Sequence, residues 1–162
     1  MREALALAAE AADAGEVPVG AVVVRHGEIV GRGRNRREGG GGAAAHAEIE
    51  AITEACRTLG GWRLSGCELY VTLEPCPMCA GAVVNARLDR VVYGAHDARG
   101  GALGGLFDLT SYPLGCRPLI LGGVLESECT ALLRDFFAAR RKTDGKPRRL
   151  LREFYSVHAD EL

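Results

Sequence analysis

The sequence predicts an α/β fold: a mixed sheet of five strands with helices on both faces. Three observations predict it. Short apolar runs of strand length alternate with longer segments of helical periodicity, the first two strands form a hairpin, and every later strand is separated from the next by a helix or long crossover. The chain of 162 residues is long enough to bury a core of its own.

The elements follow in order. Arg2 to Ala14 places Leu5, Ala8, Ala9 and Ala12 on one helical face and stops at Gly15. Pro18 enforces an extended entry into the run Val19-Gly20-Ala21-Val22-Val23-Val24. Glu28 to Gly33 is its partner across Arg25-His26-Gly27. Gly39 to Gly42 is a loop of maximal backbone freedom. A helix is predicted from about Ala45 to Leu59, a strand over Glu68–Leu73, a helix over Pro77–Ala86 and a strand over Arg90–Ala95. Leu119-Ile120-Leu121 is a last short strand. Glu126 to Lys142 is a long helix, with Leu132, Leu133, Phe136 and Phe137 at helical spacing.

Composition narrows the class. Hydrophobic residues make up 48% and charged residues 25%, the balance of an ordinary globular domain. No apolar run reaches the ~20 residues of a membrane span. The N-terminal stretch carries Glu10 and Asp13, unlike a secretory signal. The six cysteines do not read as a disulfide framework, and a cytoplasmic address follows. The net charge of −1 hides a basic stretch from Arg134 to Arg152 of formal charge +6. A second cluster, Arg32, Arg34, Arg36 and Arg37, surrounds Asn35. Such runs are commonly solvated faces; they also suit a polyanion. The Gly-rich stretch Gly100 to Gly105 lacks a P-loop lysine and the dinucleotide fingerprint.

Two short pieces carry chemistry: His46-Ala47-Glu48 and Pro75-Cys76-Pro77-Met78-Cys79, each opening a predicted helix. Cys76 and Cys79, three apart, share one face of a first turn, where the helix N-terminus favours thiolates. One His and two Cys make three ligands for a tetrahedral zinc and leave a fourth position for water, the pattern of a catalytic site. A structural zinc would want a fourth protein ligand, and Cys56, Cys67, Cys116 and Cys129 lack ligand-like spacing. A redox Cys-x-x-Cys pair is the other alternative. Glu48 shares a cavity with His46 only if the helix begins right there. In that place it can take a proton from the attacking water and return it to the substrate. Its plainer reading is a first-turn carboxylate meeting the helix dipole.

His-x-Glu followed by Pro-Cys-x-x-Cys resembles the signature of the zinc-dependent nucleobase deaminases of the cytidine-deaminase superfamily. Longer stretches are similar to one family within it, the bacterial tRNA-specific adenosine deaminases. They are Glu16-Val17-Pro18-Val19-Gly20-Ala21-Val22, Asn35-Arg36 eleven residues before His46, Tyr70 to Cys76, Met78 to Ala82 and Arg90 to Ala95. Near the end, Glu128-Cys129, Ala131-Leu132-Leu133, Asp135-Phe136-Phe137 and Arg140-Arg141 continue the likeness. It covers residues 1–142 as a zinc-dependent deaminase domain; residues 143–162 form a basic tail, expected to be partly helical or mobile.

The resemblance implies a three-layer α/β/α cytidine-deaminase-like fold and a homodimer with one Zn2+ per subunit. It implies hydrolytic deamination of adenosine to inosine at the wobble position (34) of a tRNA anticodon stem-loop, with hydroxide on the zinc attacking C6. His46, Cys76 and Cys79 would hold the metal and Glu48 would shuttle protons. Asn35 would bond the flipped base or its sugar, with Val19, Ala47 and Pro75 as apolar walls. Asp97 would stand beside the anticodon backbone, and Phe137 and Arg140 would grip neighbouring nucleotides. Gly42-Ala43-Ala44-Ala45 replaces the family's usual Asp-Pro-Thr-Ala, so the Asn35–His46 loop is expected to be held less stiffly. Gly105 stands where serine is common, and Gly115-Cys116-Arg117 where Asn-His-Arg is. The competing readings are a deaminase of a free base or nucleoside (guanine or cytosine) on the same scaffold, and a zinc-stabilised RNA-binding module without catalysis.

Overall fold

The computed structural model describes residues 1–143; the basic tail expected beyond lies outside the described residues. The elements run α1 (Arg2–Asp13), β1 (Gly20–Arg25), β2 (Glu28–Arg34), α2 (Ala47–Leu59), β3 (Cys67–Leu73), α3 (Pro77–Ala86), β4 (Arg90–Ala95), β5 (Leu119–Leu121) and α4 (Glu126–Thr143). The sheet order is β2-β1-β3-β4-β5. β1 pairs antiparallel with β2 and β3, while β3, β4 and β5 run parallel. A bulge falls between Val23 and Val24, where the hairpin register shifts by one residue. The predicted mixed sheet and its five strands are therefore present, with element ends moved by one or two residues.

Pleat alternation sorts the residues into two cores. Ala21, Val23, Leu69, Val71 and Val91 face α2 and α3 and pack with Ala47, Ala51, Ala55, Ala80 and Val83. Each buried Leu or Val contributes on the order of 1.5–3 kcal/mol. On the other side α1 covers β1 and β2 and α4 covers β4, burying Ala4, Ala8, Ala11, Val22 and Cys129.

Why α2 begins where it does is a question of close approach. Gly31 and Gly33 of β2 face α2. A Cβ on Gly33 would lie 2.1 Å from the Ala47 carbonyl oxygen, and one on Gly31 would lie 2.2 Å from that of Ala51. The helix answers with alanine at 47, 51 and 55, all fully buried. Helix backbone thus rests on strand backbone, and only Gly opposite Ala permits it. Pro77 at the start of α3 needs no backbone N–H there, so it marks the helix start without cost.

The loop before α2 is more firmly tied than its composition suggests. Arg36 N–H donates to the Ala45 carbonyl at 3.0 Å and Gly41 N–H to the Arg36 carbonyl at 3.0 Å, closing an irregular turn over Arg37–Gly41. Gly39 N–H donates to Glu16 Oε1 at 2.6 Å. Gly40 and Gly42 take φ of +92° and +83°, which a side-chain-bearing residue in either place would adopt only under strain.

Candidate active site

The carboxyl ends of the parallel strands are where open α/β sheets carry their sites. Here β3 runs out through Glu74-Pro75 into Cys76, and β4 runs out into His96-Asp97. The N-termini of α2 and α3 come to the same edge. A cavity of about 180 Å3 opens there, lined by Val17, Val19, Asn35, Arg37, His46, Ala47, Glu48, Leu73, Glu74, Cys76 and Asp97. Its volume lies below the roughly 300–1,000 Å3 typical of clefts for drug-sized ligands.

His46 is the residue just before α2 and keeps an extended backbone (φ −83°, ψ 150°). Because it stands outside the helix, the side chains of His46 and Glu48 reach one cavity although two helical residues so spaced would diverge. Cys76 is likewise the extended residue before α3 (φ −70°, ψ 171°), with Cys79 inside the first turn. His46 Nδ1 lies 3.7 Å from Cys76 Sγ and 3.5 Å from Cys79 Sγ. A tetrahedral zinc with Zn–N near 2.0 Å and Zn–S near 2.3 Å requires N···S separations of about 3.5 Å. The three ligand atoms all lie within 4.8 Å of one another, and they form the one such group among the described residues. The donor set therefore fits the ion. All six cysteines are free thiols, so none is withdrawn from this role by a disulfide.

Electrostatics within the trio agree with metal binding. A hydrogen bond from Cys79, aided by His46, outweighs burial and draws the Cys76 thiol down to about 4. The same bond, with burial, pushes the Cys79 thiol up. The bond to Cys76 holds the His46 imidazole above its ordinary value despite desolvation. Without a metal, the three groups share protons that a divalent cation would displace on binding. Glu48 is 4% exposed, and burial pushes its carboxyl above the usual range, with its own backbone N–H and His46 opposing. A carboxyl shifted this way is better matched to both taking up and returning a proton near neutrality.

The remaining expected residues divide. Val19, Asn35, Ala47 and Asp97 line the cavity beside the trio. Asn35 is buried; its Nδ2 donates to Glu16 Oε2 at 3.3 Å and its backbone N–H to the Val19 carbonyl at 3.0 Å. Pro75 is not among the lining residues: it is fully buried, and its carbonyl accepts from Ala102 N–H at 2.9 Å. Phe137 and Arg140 sit on α4, away from the cavity lining. Phe137 is 42% exposed and packs edge-on to Phe136, over whose ring the Arg140 guanidinium lies at 5.9 Å. Exposure of Phe137 leaves its outer face open to a partner.

Sequence reasoning missed Glu16, Val17, Leu73 and Glu74, and read Arg37 only as one member of a basic cluster. The two carboxylates are each only 2% exposed and brace the loops around the cavity. For Glu74, a charged residue directly after a buried strand and next to proline was the available signal. Arg37 differs from its neighbours: Arg34 and Arg36 lie 3.8 and 3.7 Å from Glu10 and Glu50, whereas Arg37 lines the cavity with no ion-pair partner among the described residues.

A family model described as MafB19-like deaminase matches residues 1–140. The chain is 49% identical over 154 residues to the tRNA-specific adenosine deaminase of Bacillus subtilis (strain 168), covering 94% of this chain and 96% of that one. It is 52% identical over 149 residues to a protein of Deinococcus radiodurans named tRNA(Ile)-lysidine synthase, covering 91% of this chain but 26% of that protein. A solved structure from work on A-to-I editing by tRNA:A34 deaminases at the wobble position superposes with a TM-score of 0.78 at 43% identity, over 82% of this chain and 97% of that one.

Proposed function

We infer the function from a plain premise: the chain belongs to the MafB19-like deaminase family. It is a zinc-dependent hydrolytic deaminase that converts adenosine to inosine at the wobble position of a tRNA anticodon. The observation that carries this is the near end-to-end match, in both chains, to the Bacillus subtilis tRNA-specific adenosine deaminase.

His46, Cys76 and Cys79 would hold the zinc ion. When bound, such an ion lowers the pKa of a water molecule and so supplies a nucleophile at neutral pH. Glu48, buried beside the trio, would carry one proton from the attacking water to N1 and then the second, from the hydroxyl added at C6, to the leaving amine. The C6–O bond forms, the C6–N bond breaks, and ammonia departs. Val19 and Ala47 present apolar surface to the base and exclude water, which strengthens each polar contact inside. Asn35, held by Glu16, offers its amide to the base or sugar, and Asp97 stands at the rim for the adjoining backbone.

A duplex or a closed loop hides C6, so the target nucleotide must swing out of its stack to enter. Arg37 at the cavity and Phe137 and Arg140 on α4 would then meet the flanking phosphates and bases of the anticodon stem-loop. The family likeness further supports a homodimer with one zinc per subunit, acting in the cytoplasm. No helix among the described residues is long and apolar enough to cross a membrane.

The test is a parallel incubation of zinc-loaded protein with an adenosine-34 anticodon stem-loop, guanine and cytosine, scoring ammonia. Release from the RNA alone is expected. Release from guanine with a silent RNA would replace this reading by the free-base one.

A further inference from the structure

Glu74 links the two halves of the cavity. It follows the last residue of β3 and precedes the Pro75-Cys76 step into the metal trio, and its side chain is wholly shielded from solvent. A carboxylate sunk this deep is tolerated only with its lone pairs filled. Here Oε2 accepts from Asp97 N–H at 3.0 Å, and Oε1 accepts from Leu103 N–H at 3.0 Å and Gly105 N–H at 2.8 Å. The backbone adds two ties: Glu74 N–H donates to the Ala95 carbonyl and Ala102 N–H to the Pro75 carbonyl, each at 2.9 Å.

The loop is shaped around this carboxylate. A Cβ on Gly101 would lie 2.3 Å from Glu74 Cδ, and one on Gly105 would lie 2.5 Å from Oε2. Asp97 in turn folds its Oδ1 back onto the N–H groups of Arg99 and Gly100, at 2.9 and 3.1 Å. The residue that lines the cavity is thus the first residue of a loop whose start, middle and end are all pinned to one buried side chain.

We propose that Glu74 is a positioning residue for the RNA substrate, holding the 97–105 loop so that Asp97 stays on the cavity wall, a role that rests on reading Asp97 as a substrate contact. Glu74 touches no reacting atom; its effect passes through Asp97. Replacing it by glutamine keeps shape but leaves one acceptor oxygen and one donor end. With Leu103 and Gly105 claiming the oxygen, the amide NH2 meets the Asp97 N–H donor to donor, and Asp97 moves.

The experiment uses the zinc-loaded full chain as wild type, Glu74→Gln, Asp97→Asn, their double variant and Gly105→Ala. It reads KM and kcat on the anticodon stem-loop, zinc content, and amide hydrogen exchange. Glu74→Gln is expected to raise KM roughly tenfold, with kcat and zinc unchanged and exchange accelerated only over residues 97–105. Gly105→Ala, pressing from the loop side, should reproduce that pattern with Glu74 intact. The double variant should be no worse in KM than Asp97→Asn alone. Additive KM effects, a fall in kcat with zinc loss and unmoved KM, or unchanged loop exchange would each overturn the role. Wild type that leaves the RNA untouched would sink the substrate reading instead, since the exchange measurement needs no substrate.

Discussion

The two sides of the cavity are built by different rules. On the metal side, every group stands at a helix start: His46 and Cys76 just ahead of α2 and α3, Glu48 and Cys79 within their first turns. On the recognition side, the groups stand on loops, Asn35 and Arg37 on one and Asp97 on the other, and each loop is fastened to a buried carboxylate. Helix starts set side chains by local geometry alone, with few degrees of freedom to fix. Loops need an anchor from elsewhere in the chain, and Glu16 and Glu74 supply it across 19 to 31 residues of sequence. Under the proposed function, chemistry that tolerates little misplacement sits on the first kind of support, and recognition, which must fit a long polymer, on the second.

Cys79→Ser tests the metal side most severely. Loss of a direct ligand should cost more metal affinity than the roughly 10–100-fold typical of changes one shell further out. Metal analysis of the purified variant should find little zinc, with no ammonia released; full zinc content would break the assignment. Glu48→Gln comes next. It should retain zinc and fold while turnover drops by about 10²–10⁴, the usual worth of a positioned proton carrier; single-turnover kinetics on the stem-loop would show it.

Gly33→Ala probes the support beneath α2, on which His46 and Glu48 stand. Its Cβ must push the helix off the strand, at a cost of roughly 1–3 kcal/mol, and chemical denaturation should record that loss. A neutral effect would mean that close backbone approach does not fix where α2 starts. Arg37→Ala is the mildest and belongs to the recognition side. Stem-loop binding should weaken by less than about tenfold, and the slope of log affinity against log salt should shrink by about 1. A matching fall in kcat would show that the two sides are not separable.

The fold was legible because its signals are local. Strand runs, helical faces, Pro77 and the glycine stops mark elements to within one or two residues. The trio was legible for the same reason: Cys-x-x-Cys at a helix start and a histidine ahead of another helix carry their own geometry. Arg37, Glu16 and Glu74 were not. Among many charged residues nothing in periodicity distinguishes a solvated arginine from one lining a cavity, or a surface glutamate from one that is 2% exposed. Pro75 shows the converse: a motif residue expected on the wall is fully buried and is not among the residues that line the cavity.

By itself the sequence singled out one His and two Cys that could hold a metal, with a Glu two residues from the His, all at helix starts. Spacing of two or three residues at a helix start leaves little conformational freedom. Tertiary structure alone decided that two helix starts 30 residues apart meet within ligand distance, and that two carboxylates are buried to hold the loops facing them. Those outcomes depend on Gly-on-Ala backbone contact between β2 and α2 and on backbone N–H groups converging from distant loops. Long-range packing satisfies them collectively, and no short stretch of residues encodes it.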